Sequence, residues 1–213
     1  MKKTIIPALL ILLASVFSSV QAQAQTPVAG TDYIEIPDGK PLEAADGKVV
    51  VEEFFSYICP ACNSFELVFL NWQSRLPAYV QVNHVPATFR ADFETYARVF
   101  YAAESFDLIE QSHEDVYDAV HRLHTLPGEG ERIDENKIAE FYSQYGVDAE
   151  KFLAAMKGFS VNVKVRRATT QMQHSKVPST PSLVINGRYL VRGRTYEDML
   201  RTASYLIEKE HAG

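Results

Sequence analysis

A buried strand that runs straight into a cysteine-bearing helix limits this chain to few folds. Lys48-Val-Val-Val-Glu-Glu-Phe-Phe-Ser56 is β-branched and aromatic, the composition of a largely buried strand. Just beyond it, Cys59-Pro60-Ala61-Cys62 opens a segment with apolar residues at Phe65, Val68, Phe69 and Trp72. Spacings of three and four residues predict an amphipathic helix over 61–75, and Pro60 suits its first turn. Val80-Gln-Val-Asn-His-Val85 alternates as a second strand should and stops at Pro86. Strand, helix and strand at these lengths form a βαβ unit.

The texture changes on either side of that unit. Residues 26–47 are rich in Pro, Gly and Asp and read as an arm, with a short strand at 33–36. Residues 91–106 and 112–124 are helical by composition and spacing. Asp134 is placed to cap a helix through Tyr145, Asp148 another that ends near Gly158, and a further helix spans 160–174. Helices in such a row, with no strand between them, predict a separate helical subdomain. Strand character returns at Ser182-Leu-Val-Ile185, Asn186-Gly187 is a strong hairpin signal, and Arg188-Tyr-Leu-Val191 is the return strand. Thr195, three residues before Asp198, then caps a final helix through about Glu210. A βαβ half and a ββα half are thus split by a helical insertion.

The first residues read differently. Met1-Lys2-Lys3 is positive, Ile5 to Val16 is apolar apart from Pro7 and Ser15, and Ala22 and Ala24 both end small-x-Ala sites. This is the layout of a secretory signal peptide, cleaved after Ala22 or Ala24. The apolar run is short for a spanning helix of roughly 20 residues. Over the full 213 residues the net charge is −6, from 21 basic and 27 acidic side chains, and loss of 1–24 moves it to −8. That balance argues against nucleic acid as a partner, since phosphate binding needs a basic surface. Export also permits disulfides that the cytosol would reduce.

Cys59 and Cys62 are the only cysteines. Two are too few for a disulfide scaffold, and zinc would need two further ligands. A Cys-x-x-Cys spacing at a helix start, after a buried strand and in an exported chain, points instead to redox chemistry. Unpaired N–H groups and the dipole at the helix N-terminus favour a thiolate at Cys59. Cys62, one turn inside, is the more buried resolving thiol. Half a zinc site and an inert disulfide are the competing readings. Thr180-Pro181 stands ahead of an apolar strand, where proline cannot donate to the ladder. A cis bond beside the cysteines, leaving an edge for a substrate chain, is one reason for it; a plain strand-entry turn is another, and Val177-Pro178 competes for the role.

The sequence resembles the DsbA family of exported thiol–disulfide oxidoreductases. The likeness rests on Glu-Phe-Phe-Ser-Tyr-Ile-Cys-Pro-Ala-Cys ending at Cys62, on Phe65-Glu66, and on Thr-Pro-Ser-Leu-Val-Ile-Asn-Gly ending at Gly187. It implies an α/β protein with a thioredoxin-like fold and an inserted all-helical subdomain: signal peptide 1–24, first thioredoxin-like part 25–89, insertion 90–175, second part 176–213. It selects Pro181 as the cis-proline. It implies a site made of Cys59, Pro60, Ala61, Cys62, Thr180 and Pro181, with Glu53 as a partly buried acid beneath it and Glu66 as a second acid on its helix. Neither a diffusible cofactor nor a metal is expected beyond the Cys59–Cys62 disulfide. The implied partners are unfolded exported proteins with free cysteines and, for re-oxidation, the quinone-linked membrane protein DsbB. A periplasmic monomer is expected.

Two positions depart from the family. Ala61 stands where its oxidases commonly have His, and Thr180 where Val often precedes the cis-proline. Loss of an imidazole beside the thiolate should raise the Cys59 pKa and make the protein less oxidising, so a reductase or isomerase is the nearest competing function. A non-catalytic periplasmic chaperone is the competitor from another class. Glu52 and Glu53 are adjacent in the strand, and their facing is ambiguous. His113, His121 and His124 read as helix-surface residues, and Tyr57 and Ile58 as core like the aromatics around them or, alternatively, as an apolar rim for substrate.

Overall fold

The computed structural model describes residues 26–213, so the segment read as a signal peptide lies outside the described residues. The elements in chain order are β1 (Tyr33–Glu35), β2 (Val49–Phe55), α1 (Pro60–Gln73), β3 (Val80–Pro86), α2 (Ala91–Ser105), α3 (Ile109–His121), α4 (Glu135–Phe141), α5 (Ala149–Lys157), α6 (Phe159–His174), β4 (Ser182–Ile185), β5 (Tyr189–Val191) and α7 (Tyr196–Ala212). The sheet order is β1-β5-β4-β2-β3. β2 and β3 are parallel and joined by α1, while β4 runs antiparallel to both β2 and β5, and β5 to β1. Among the described residues, no helix is long and apolar enough to cross a membrane.

The caps explain where the helices begin. Asp134 accepts from the N–H groups of Asn136 and Lys137, Asp148 from that of Lys151, and Thr195 from that of Asp198. The helix predicted to run from Asp134 through Tyr145 is α-helical only to Phe141. It continues as a 3₁₀ turn, Tyr142–Tyr145, closed by Gly146 in the left-handed region at φ +81°. Stacking of Tyr142 on Phe152, with ring centroids 3.9 Å apart, holds that turn against α5. α3 starts and ends earlier than its composition suggested: the Leu123 N–H turns back to the Asp118 carbonyl, and His124 lies at φ +52°. The return strand of the hairpin likewise begins at Tyr189, because Arg188 completes the turn by donating to the Ile185 carbonyl.

β2 is buried along its whole length because both faces of the sheet are covered. On one face Val51, Leu183 and Ile185 pack with Phe65, Phe69 and Trp72 of α1 and with Leu200, Ala203 and Leu206 of α7. On the other, Phe54, Val184 and Leu190 join a core that runs without interruption through Phe100, Val116, Ile138, Tyr142, Phe152 and Val165 of the inserted helices. The insertion is therefore packed onto the sheet face rather than around a core of its own.

The arm is fixed by a backbone crossing. A Cβ on Gly39 would lie 2.0 Å from the Gly187 carbonyl oxygen, and one on Gly187 would lie 2.1 Å from the Lys40 carbonyl carbon. Gly187 also has φ +67°, a conformation L side chains rarely adopt. Gly187→Ala is expected to destabilise the protein by at least about 1 kcal/mol, read as a lower urea midpoint at unchanged m, because strain and clash act together.

Candidate functional site

The cysteine turn lies where β2 hands over to α1. The Cys59 backbone is extended, at φ −82° and ψ 115°, and its sulfur serves as the N-cap of α1. Sγ accepts the Cys62 N–H at 3.4 Å, and the Cys59 carbonyl accepts the Asn63 N–H at 3.1 Å. Pro60 occupies the first helical position, where its missing N–H costs no helical hydrogen bond. Pro60 and Ala61 are exposed, whereas Cys59 keeps only 7% exposure and Cys62 none.

Both cysteines are free thiols, and their environments push them apart. The Cys62 thiol, donating to the Cys59 sulfur, is the largest influence lowering the Cys59 pKa. Burial opposes it, and the Thr180 side chain with the N–H groups of Cys62 and Ala61 adds to it, leaving Cys59 at about 6 against an ordinary 9.0. Cys62 moves the other way. Burial, its hydrogen bond to Cys59 and the charges of Cys59 and Glu53 drive it far above the thiol range. One turn of helix therefore holds a stabilised thiolate beside a thiol that stays protonated.

The Thr180–Pro181 peptide bond is cis. The Thr180 carbonyl accepts from the Cys59 thiol at 3.5 Å, which puts the loop before β4 directly against that sulfur. Both residues are half-buried. Cys59, Pro60, Ala61, Thr180 and Pro181 thus share one surface, with Cys62 behind it.

The strand register resolves the two adjacent acids. Glu53 pairs with Leu183 and His84 and points to the face covered by α1, whereas Glu52 pairs with Val184 and points to the other. Glu53 is fully buried, and His84 Nδ1 donates to its Oε2 at 2.8 Å. Burial works against a charge on His84, but the bond to Glu53 and the charges of Glu53 and Glu66 outweigh it and lift its pKa. Glu66 is also buried and faces His113 Nε2 at 3.4 Å. Glu52 plays a different part. Burial raises its pKa to about 7, partly offset by the Leu42 N–H and Gln171 side chain that it accepts from, and it ties the arm to α6.

Two expectations need correction, and one of two alternatives falls away. His113 is buried, not on a helix surface: the Tyr57 hydroxyl donates to its Nδ1 at 2.9 Å, and its ring lies 4.9 Å from that of His84. His121 is half-buried and donates from Nε2 to the Tyr57 carbonyl at 2.7 Å, leaving only His124 exposed. Tyr57 and Ile58 are core residues and form no rim, because the inserted helices close over them. The amphipathic period of α3 already placed His113 beside the apolar Val116 and Tyr117, a signal outweighed by the polarity of its neighbours. Among the described residues, no group of three or more His, Cys, Asp or Glu side chains is arranged to hold a metal ion.

Residues 73–204 match the model of the DSBA-like thioredoxin domain family, a span that starts at the last residue of α1 and leaves out both cysteines. Over its full length the chain is 33% identical to the thiol:disulfide interchange protein DsbA of Pseudomonas aeruginosa, covering 98% of it. It is 30% identical to the protein of the same name from Azotobacter vinelandii, covering 99% of it. Among solved structures, DsbA from Xylella fastidiosa superposes with a TM-score of 0.85 at 34% identity, over 89% of this chain and 100% of that one. The crystal structure of Pseudomonas aeruginosa DsbA gives 0.77 at 31% identity, over 87% and 95%.

A titration follows from the thiol environment. Thiolate absorbance of the reduced protein should rise with a midpoint near pH 6, and Cys59→Ser should remove that step. The folded pKa lies below the ordinary 9.0, so this thiolate adds stability fully above about pH 9, and the gain is lost as pH falls through about 6. Melting temperatures of reduced and oxidised protein, compared from pH 5 to 9, should shift in favour of the reduced form as pH rises.

Proposed function

This chain belongs to the family of DSBA-like thioredoxin domains, and from that membership and the cysteine geometry we propose that it is a protein thiol:disulfide oxidoreductase that donates its Cys59–Cys62 disulfide to newly exported proteins. The observation that carries the reading is the asymmetry of the two thiols: Cys59, 7% exposed, is held as a thiolate, and Cys62 is fully buried and protonated one helical turn away. The family uses its own redox-active disulfide, and no external cofactor enters the scheme.

In the oxidised enzyme, a substrate thiolate attacks Cys59 Sγ. The Cys59–Cys62 bond breaks, its electron pair leaves on Cys62, and a mixed disulfide forms at Cys59. Burial makes a bare Cys62 thiolate costly, so it takes up a proton as it leaves. The hydrogen-bonded pair of Glu53 and His84, buried beneath Cys62, is the proposed route for that proton, with His84 holding it and Glu53 passing it on; Glu66, which faces His113, is a second acid in the same buried layer. The substrate's second thiolate then attacks its own sulfur in the mixed disulfide. Cys59 departs as a thiolate and the substrate leaves oxidised by two electrons. At pH 7 a group of pKa about 6 is about ten parts thiolate to one part thiol, which makes Cys59 a good leaving group. Thr180 and Pro181 border the sulfur where the substrate chain would lie, with Pro60 and Ala61 on the other side.

The residue range 1–24 acts in this reading as the export signal, and the periplasm as the working compartment. A quinone-linked membrane protein of the DsbB kind would re-oxidise the pair, and the enzyme would work as a monomer on unfolded clients. Ala61 and Thr180 favour a weaker oxidant than a family member with His and Val at those positions, which keeps the reductase direction as the second reading.

Replacing Cys59 by Ser should abolish disulfide exchange with a dithiol peptide, while the Cys59 thiolate of Cys62→Ser, given a disulfide-bonded peptide, should attack it, release one peptide thiolate and hold the other as a mixed disulfide, seen by non-reducing electrophoresis. Binding of an unfolded chain without any exchange by the wild type would instead support a chaperone. The glutathione equilibrium sets direction: a potential well above the glutathione poise means donation, and one near that of thioredoxin means reduction. About 30 mV corresponds to 1.4 kcal/mol in this two-electron couple.

A further inference from the structure

Tyr196, the first residue of α7, reaches the cysteine turn from the far end of the chain. Its ring lies against Phe65 of α1, with centroids 5.0 Å apart, and its hydroxyl donates to the Ala61 carbonyl at 3.0 Å. That carbonyl belongs to the Ala61–Cys62 peptide group, the same group whose N–H donates to Cys59 Sγ at 3.4 Å. The two hydrogen bonds are in series through one amide. A donor at the oxygen draws electron density from the nitrogen and makes its N–H a stronger donor to a thiolate. The approach to α7 is closely packed: a Cβ on Gly193 would lie 2.6 Å from the Met199 nitrogen, and the Thr195 cap fixes the turn that presents Tyr196. Burial and the charges of Cys62 and Cys59 keep the phenol above its ordinary pKa, so it remains a donor wherever Cys59 titrates.

We propose that Tyr196 is a positioning residue that stabilises the Cys59 thiolate through the Ala61–Cys62 peptide and so sets how strongly the protein gives up its disulfide. This rests on the disulfide-exchange reading above and deepens it. Ala61 offers no polar side chain between the cysteines, and Tyr196 supplies a dipole to that dipeptide from outside the motif.

The test compares wild type, Tyr196→Phe and a protein with 3-fluorotyrosine placed only at position 196. Strengthening in series adds about 10–30% to a hydrogen bond made to a charged group. Tyr196→Phe should therefore weaken Cys59 as an acid by about 1.3- to 4.5-fold, read from thiolate absorbance against pH. It should shift the glutathione equilibrium by a similar factor toward the oxidised protein. The fluorinated phenol, a stronger donor, should move both in the opposite direction, and it decides the matter if the Phe variant folds poorly. A melting temperature that falls while acidity and equilibrium stay at wild-type values would overturn the proposal, as would both variants shifting the same way. Failure of the wild type to exchange with glutathione at all would overturn the oxidoreductase reading instead.

Discussion

The sulfur of Cys59 is the N-cap of α1, and most of what this protein can do issues from that one contact. A helix start leaves N–H groups without intrahelical partners, and here one of them is spent on a thiol where a hydroxyl or carboxylate would usually stand. The helix and the thiolate stabilise each other. The contact also needs support on every side: β2 to bring the chain in, Pro60 to begin the helix, and the Thr180 loop to close the open flank.

Burial then separates two chemically identical side chains. Cys59 and Cys62 differ only by a turn of helix, yet one meets solvent and donors and the other meets Glu53 and apolar neighbours. Beneath them lies a layer that is unusual for a core, with Glu53, His84, His113 and Glu66 in contact from β2, β3, α3 and α1 in turn. Such groups are costly to bury without partners; Glu53 is hydrogen-bonded to His84, whereas Glu66 only faces His113 and neither of its oxygens accepts a hydrogen bond.

Much of this was legible in the residues. Local chemistry marked the strand–cysteine–helix junction, the caps at Asp134, Asp148 and Thr195, and the Asn186-Gly187 turn, because each is decided within a few residues. What stayed hidden depends on contacts distant in sequence. The facing of Glu52 and Glu53 is fixed by register with β3 and β4, and no pattern inside β2 could settle it. His113 looked like a surface residue because its partners, Tyr57 and Glu66, lie about fifty residues away. Tyr196 stands 135 residues from the carbonyl it contacts. The change from α-helix to 3₁₀ turn after Phe141 goes with the stacking of Tyr142 on Phe152 of α5, a contact outside the helix's own run, whereas the stop at Gly146 was legible.

The continuous core between sheet and inserted helices has a consequence for the history and engineering of the chain. Phe54, Phe55 and Tyr57 lie just before the cysteines and are covered by α2 and α3, through Phe100, Tyr96, Val116 and Tyr117. A minimal module obtained by splicing out 90–175 would leave those rings bare beside Cys59. The insertion has become a wall of the house it was added to, and shortening this protein means redesigning the sheet face first.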